Sequence, residues 1–263
     1  MRIGWSGYRP YESTYPPPPK NWFYIEDLSG STNTVTFEKG DINMFDLTVE
    51  KSLDGNTWSV VGTTLPYTTT ISANGKVYFR CKTDMWGYVP LAVVFAKISA
   101  SNTYKVGGNI MSLIYGDEFT GQETKFPDTQ IANNGRGFPC LFRGCRMLTD
   151  ASELVLPVSD LPEYAYFCLF YDCSSLIKAP TLISKKPSAS SYGVMFNNCS
   201  SLKEVTCLAT DISASNCTSN WMNGVSATGT FTKDSSMNSW PEGKSGIPSG
   251  WTVENYQELN EVI

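Results

Sequence analysis

The chain has 263 residues, 41% hydrophobic, 13% aromatic and only 17% charged, and it contains no histidine. That absence excludes Ser-His-Asp and Cys-His nucleophilic catalysis and every His-ligated metal centre. A net charge of −5 argues against a nucleic-acid backbone as partner, and 21 Gly and 15 Pro beside many aromatics describe a β-rich, loop-rich chain of one or two domains.

Residues 1–30 form the first zone. Trp5, Tyr8, Tyr11, Tyr15, Trp22, Phe23 and Tyr24 flank the run Pro16 to Pro19, which favours an extended polyproline path unable to enter a sheet interior. So many aromatics are too costly for a solvated tail. They predict either a strand packed on its own domain or an arm docked on a partner, with Trp5, Tyr8, Tyr11, Tyr15, Trp22 and Phe23 as the anchoring side chains. The first 24 residues lack the apolar centre of a signal peptide, so with Met1 as the natural start the chain is expected to stay in the cytoplasm unless something else carries it out; with a different natural start, a removed export signal and a cell-surface location are the alternative. The longest apolar run, Pro90 to Ala96, is far short of the roughly 20 residues of a membrane helix.

Residues 31–112 carry short β signals: Asn33–Phe37, Phe45–Glu50, Trp58–Val61, Thr68–Ile71 and Val77–Cys81, rich in β-branched and aromatic residues. Asp54-Gly55 and Asn74-Gly75 supply the positive φ of tight hairpin turns. The spacing predicts an antiparallel β-sandwich, followed by a longer strand over Leu91–Ile98.

Residues 113–253 carry a repeat. Leu141-Phe-x-x-Cys145-x-x-Leu148-x-x-Ala151 recurs as Leu169-Phe-x-x-Cys173-x-x-Leu176-x-x-Ala179 and as Met195-Phe-x-x-Cys199-x-x-Leu202-x-x-Val205, and weakly as Trp221-Met-x-x-Val225. From Phe142 to Phe170 is 28 residues, and from Phe170 to Phe196 is 26. Periods of this length with fixed Leu and Cys columns predict a leucine-rich solenoid. Its core would be Phe142, Cys145, Leu148, Phe170, Cys173, Leu176, Phe196, Cys199 and Leu202, with each LFxxC segment a short helical turn. Most of the eight cysteines fall in or beside these columns and no CxxC pair occurs, so they read as buried reduced thiols rather than disulfides or metal ligands. Trp240 and Trp251, with Pro241 and Pro248, are placed to cap the last coil, and 254–263 form a tail.

These residues look familiar. The FxxCxxLxxA coils, Cys207 to Ala214, Trp221, Gly229-Thr-Phe231 and Gly246 to Val253 resemble the BspA-like leucine-rich repeat proteins of gut Bacteroidetes and their phages. So do Ser52-Leu-Asp-Gly-Asn-Thr-Trp58 and the junction Gly108 to Asp117. The resemblance covers about 45–254; the family's APELPA turn is degraded to Ala151 to Pro157 and Ala179 to Ser184, and the coils are few. It implies a mainly β fold with short helical turns, an N-terminal antiparallel β-sandwich followed by a short solenoid. It also implies a binding or structural role, as a surface adhesin in bacteria or a virion appendage in phages, and transfers no catalytic residue.

Other chemistry is absent from the sequence. There is no phosphate loop, EF-hand or GxSxG, and Gly135-Arg-Gly137 lacks a dinucleotide-binding context. Asp150, Asp160 and Asp172 fall near turns, where Asp caps or is solvated, rather than forming a hydrolytic pair. Asn198-Cys-Ser200 and Asn216-Cys-Thr218 match the glycosylation pattern as accidents of the repeat, and Arg136, Arg143 and Arg146 form a small basic group. The expectation is a non-enzymatic protein without cofactor or metal. As a virion component it would be held to other virion proteins by its N-terminal arm and would display the repeat domain. The alternative is a cell-surface adhesin that holds a host protein or glycan. Nothing in the repeat requires self-association; among homo-oligomers, fibre-like appendages favour a trimer.

Overall fold

The computed structural model describes residues 20–38, 48–62, 66–82, 97–127 and 137–257. Trp5, Tyr8, Tyr11, Tyr15, Arg136 and most of the strand expected over Leu91–Ile98 lie outside them. The described chain is mainly β, with twelve strands in three sheets. They are β1 Tyr24–Asp27, β2 Asn33–Glu38, β3 Thr48–Ser52, β4 Ser59–Gly62, β5 Tyr67–Ile71, β6 Lys76–Lys82, β7 Lys97–Ala100 and β8 Tyr104–Asn109, then β9 Leu148–Val155, β10 Glu204–Cys207, β11 Gly229–Lys233 and β12 Trp251–Asn255. One short helix, α1 (Ser112–Tyr115), runs into a 3-10 turn over Gly116–Glu118.

A six-stranded sheet has the order β4-β3-β6-β1-β8-β9, and a three-stranded sheet has the order β5-β2-β7. Alternation in β2 decides its orientation: Asn33, Val35 and Phe37 are buried, and the residues between are half-exposed. Phe37 meets Phe79 of β6 edge-on at 5.3 Å, which joins the two sheets through a shared apolar interior. Asp54-Gly55 lies between β3 and β4, an antiparallel pair, as expected of a hairpin. Asn74-Gly75 does not make a hairpin. Its flanking strands β5 and β6 belong to different sheets, so the turn carries the chain across the interior. Asn74 does adopt positive φ (54°), and its N–H donates to the Asp27 carboxylate at 2.9 Å. Asp27, 2% exposed, gathers this turn and the β1–β2 turn by also accepting from the Ser29 hydroxyl, Gly30 N–H and the Asn33 amide. Burial pushes its carboxyl up, but these hydrogen bonds outweigh that and hold it at about 2.

The expected boundaries at residues 30 and 112 are not boundaries of the fold. Trp22 and Phe23, expected to anchor a partner, are 5% and 0% exposed, and β1 lies between β6 and β8 inside the six-stranded sheet. Their aromatic surface is spent on the chain's own core. Strand β8 in turn pairs in parallel with β9, the first strand of the repeat region. Phe23 stands 6.2 Å from Phe142, and a single apolar cluster runs from Trp22 to Trp251.

Beyond β9 the repeat units stack in register. Lys178 bridges Asp150 of β9 to Glu204 of β10, and β10-β11-β12 continue as parallel strands. Opposite these strands the LFxxC segments form a second ladder, which is not helical. The N–H groups of Cys140, Phe142 and Gly144 donate to carbonyls of the next unit, at Phe167, Leu169 and Tyr171, while Arg143 and Cys145 donate three residues back. The next unit repeats the pattern: Tyr166, Cys168, Phe170 and Asp172 reach Ser191, Gly193, Met195 and Asn197. A helix would direct every N–H to its own i−4 carbonyl and leave the units without lateral bonds. The backbone takes positive φ at every fourth residue instead: Tyr164, Cys168 and Asp172, then Ser190, Val194 and Asn198, then Asn216, Asn220 and Gly224. A left-handed L-residue costs about 1–2 kcal/mol, and at Tyr164, Cys168, Asp172, Ser190, Val194 and Asn198 that cost is offset by an N–H bond to the next unit.

Inside, the nine predicted core residues are all 2% exposed or less. Phe142, Phe170 and Phe196 stack at 5.5 and 5.8 Å with nearly parallel rings, and Trp221 and Trp240 continue the stack to the far end. The cysteine column does more than fill space. The Cys145, Cys173 and Cys199 thiols donate to the carbonyls of Ile98, Phe142 and Phe170, so each ties its unit to preceding chain.

Candidate interaction surface

The strand register composes one continuous row across the outer face. Cα partners run Lys76, Glu26, Lys105, Asp150, Lys178, Glu204, Thr230, Thr252, one residue per strand or bridge. Charge alternates along the first six positions and ends in two threonines. Lys76 and Lys105 both reach Glu26, at 3.2 and 3.4 Å, and Lys178 reaches Glu204 at 3.3 Å. Exposed cross-strand pairs contribute only about 0.2–1 kcal/mol each. Their larger effect is on register, because a slip by one strand position would break the alternation.

Tyr24 lies beside this row. Its ring occupies the space a side chain would need at Gly107, where a Cβ would fall 2.3 Å from the ring, and the Lys76 ammonium sits 4.0 Å from the ring centre. Its hydroxyl donates to the Glu153 carboxylate, which Lys105 also holds at 2.9 Å. Burial and the bond to Glu153 push the tyrosine up, while the same bond, with Lys105, lowers Glu153. Further along the sheet Arg80 packs 4.4 Å from the Trp58 ring and pairs with Glu50 at 2.6 Å; Trp22 meets Trp58 edge-on at 4.7 Å. The Ser52–Trp58 loop is built around Asp54, whose carboxylate accepts from the N–H of Asn56 and Thr57 and from the Ser52 hydroxyl. The loop carries Leu53, 78% exposed, and the edge strand β4 carries Val60, 57% exposed.

On the flank of the repeat region a cleft of about 500 Å³ is lined by Ser159, Asp160, Lys185, Lys186 and Ser188, among others. Its lysines are already engaged, Lys185 with Asp234 and Lys186 with Asp211. Of the basic group at the first unit, Arg146 pairs with Asp172 at 2.9 Å and Arg143 lies over the Tyr171 ring. Asp150 accepts the Ser152 N–H. Asn198 and Asn216 occupy positive-φ positions of the repeat, and the Thr218 hydroxyl donates to Ser245. Among the described residues no group of three or more acidic, Cys or His side chains is placed to hold a metal ion, and no helix is long and apolar enough to cross a membrane.

Tyr24, Glu153, Lys105 and the charge row escape sequence reading. Their partners are up to 129 residues apart, and neither spacing nor composition marks them. Comparison with family models, curated proteins and solved structures finds no match for this chain.

Proposed function

We propose that the chain is a non-enzymatic structural and binding protein, a phage virion component in which an antiparallel β-sandwich and a short BspA-like leucine-rich solenoid act as one rigid body. It is attached to the particle through residues 1–19 and displays the repeat region. The observation that carries this reading is the uninterrupted run of paired strands and bridges from β4 to β12 over one apolar core. Side chains with chemical potential are committed to holding that run together: thiols to carbonyls, Glu26 and Glu204 to lysines, Asp27 and Asp54 to backbone N–H groups. Such a body suits display at a distance from an attachment point.

The test is a deletion ending at Pro19, which spares Trp22 and Phe23. In the source phage it should leave a folded chain and abolish its incorporation into purified particles. Normal incorporation refutes the anchoring role. Absence of even the full-length chain from particles refutes the virion assignment and directs attention to the cell surface.

A further inference from the structure

Two of the buried thiols differ from the others. Cys145, Cys173, Cys199 and Cys217 each donate to a backbone carbonyl, and all four are 2% exposed or less. Cys140 and Cys168 are 6% and 5% exposed, the two most exposed of the eight cysteines. They occupy the same column of adjacent units, and the Cys140 N–H donates to Phe167 at 2.9 Å, which sets the two residues side by side in the ladder. Neighbouring strands lie about 4.8 Å apart, within the roughly 4.4–6.8 Å Cα separation that a disulfide spans. The column continues as Val194 and Asn220, so it holds no third thiol.

We propose that Cys140 and Cys168 are a reversible oxidation site, forming a disulfide that staples the first two repeat units when the chain meets a small-molecule disulfide in an oxidising medium. The Cys140 thiolate attacks one sulfur of the reagent, breaking its S–S bond and releasing one thiol, which takes up a proton. Cys168 then loses its proton and attacks the Cys140 sulfur, expelling the second thiol. The protein loses two protons and two electrons, and the reagent becomes two thiols. The Cys140 side chain beside it, together with burial, pushes the Cys168 thiol up, so Cys140 is assigned the first attack. The staple closes a 28-residue segment and so restricts the unfolded chain. The proposal stands whether or not the chain belongs to a virion.

The test titrates the reduced full-length protein with oxidised glutathione, followed by intact mass and non-reduced peptide mapping. The first oxidised species should have lost two hydrogens, carry no glutathione and contain a Cys140–Cys168 link. Cys168→Ala should trap one glutathione on Cys140, and Cys140→Ala should yield neither product. In the wild type, oxidation should raise the urea midpoint, and dithiothreitol should reverse it. A first product that is an adduct at another thiol, a Cys145–Cys173 link, or no reaction by the natively folded protein overturns the proposal. Mapping of the wild type decides alone if either variant misfolds.

Discussion

Phe170 is the most informative position for the packing account. It is fully buried, with Phe142 stacked on one side at 5.5 Å and Phe196 on the other at 5.8 Å. Phe170→Ala removes a whole ring and leaves a cavity between two faces that cannot close, because their separation is fixed by the backbone bonds from Phe142 to Leu169 and from Phe170 to Met195. A loss of about 3–5 kcal/mol is expected, a large part of the roughly 5–15 kcal/mol stability of a folded domain. Phe170→Leu keeps most of the apolar volume and should cost about 1–1.5 kcal/mol. A cycle combining it with Phe142→Leu should return a coupling of about 0.5–1.5 kcal/mol for the lost stack. Urea unfolding followed by tryptophan fluorescence and by far-ultraviolet circular dichroism measures these quantities. Because the core is shared between the two halves, both probes should report one transition in every variant. An alanine variant that loses less than about 1.5 kcal/mol, or one that shifts only one of two separated transitions, would refute the stacked, shared core.

Three further outcomes follow from the geometry. Asp27 has a folded-state value of about 2 against an ordinary 3.8, so its contribution is fully present above about pH 3.8 and is lost as pH falls through about 2; the difference is worth up to about 2 kcal/mol. Asp27→Asn, which turns an amide donor toward groups that are themselves donors, should cost about 3 kcal/mol and flatten the acid limb of a stability–pH profile. Gly144→Ala isolates the left-handed backbone cost, since its φ is +70° and a Cβ would meet nothing within 4 Å. It should lose about 1 kcal/mol, whereas Gly144→Asn, matching Asp172 and Asn198 in the same column, should lose less than half of that; equal losses would contradict the account. Gly108→Ala combines φ +72° with a Cβ 1.9 Å from the Trp22 carbonyl oxygen in the segment paired beside it, so thermal melting should show a loss of more than about 3 kcal/mol, and a near-neutral result would refute the close approach.

What the sequence determined by itself was local or periodic. Alternation in Asn33–Glu38 marks a half-buried strand, and the Phe, Cys and Leu columns of the repeat mark what faces inward, because equal spacing places equivalent residues against one another whatever the backbone does between them. The same spacing could not distinguish a helical LFxxC turn from the observed ribbon. Both put Phe and Cys inward, and the difference lies in whether an N–H bonds within its unit or to the next one, a choice made only when a neighbouring unit is present. The tertiary structure also decided where Trp22 and Phe23 go, since an aromatic beside a proline run is equally suited to a partner or to its own core until β6 and β8 are seen on either side of β1. The charge row is the plainest case. Its members come from both halves of the chain, and they alternate in sign only because pairing of β8 with β9, reinforced by a core that reaches from Phe23 to Phe142, aligns two regions that the sequence presents as separate.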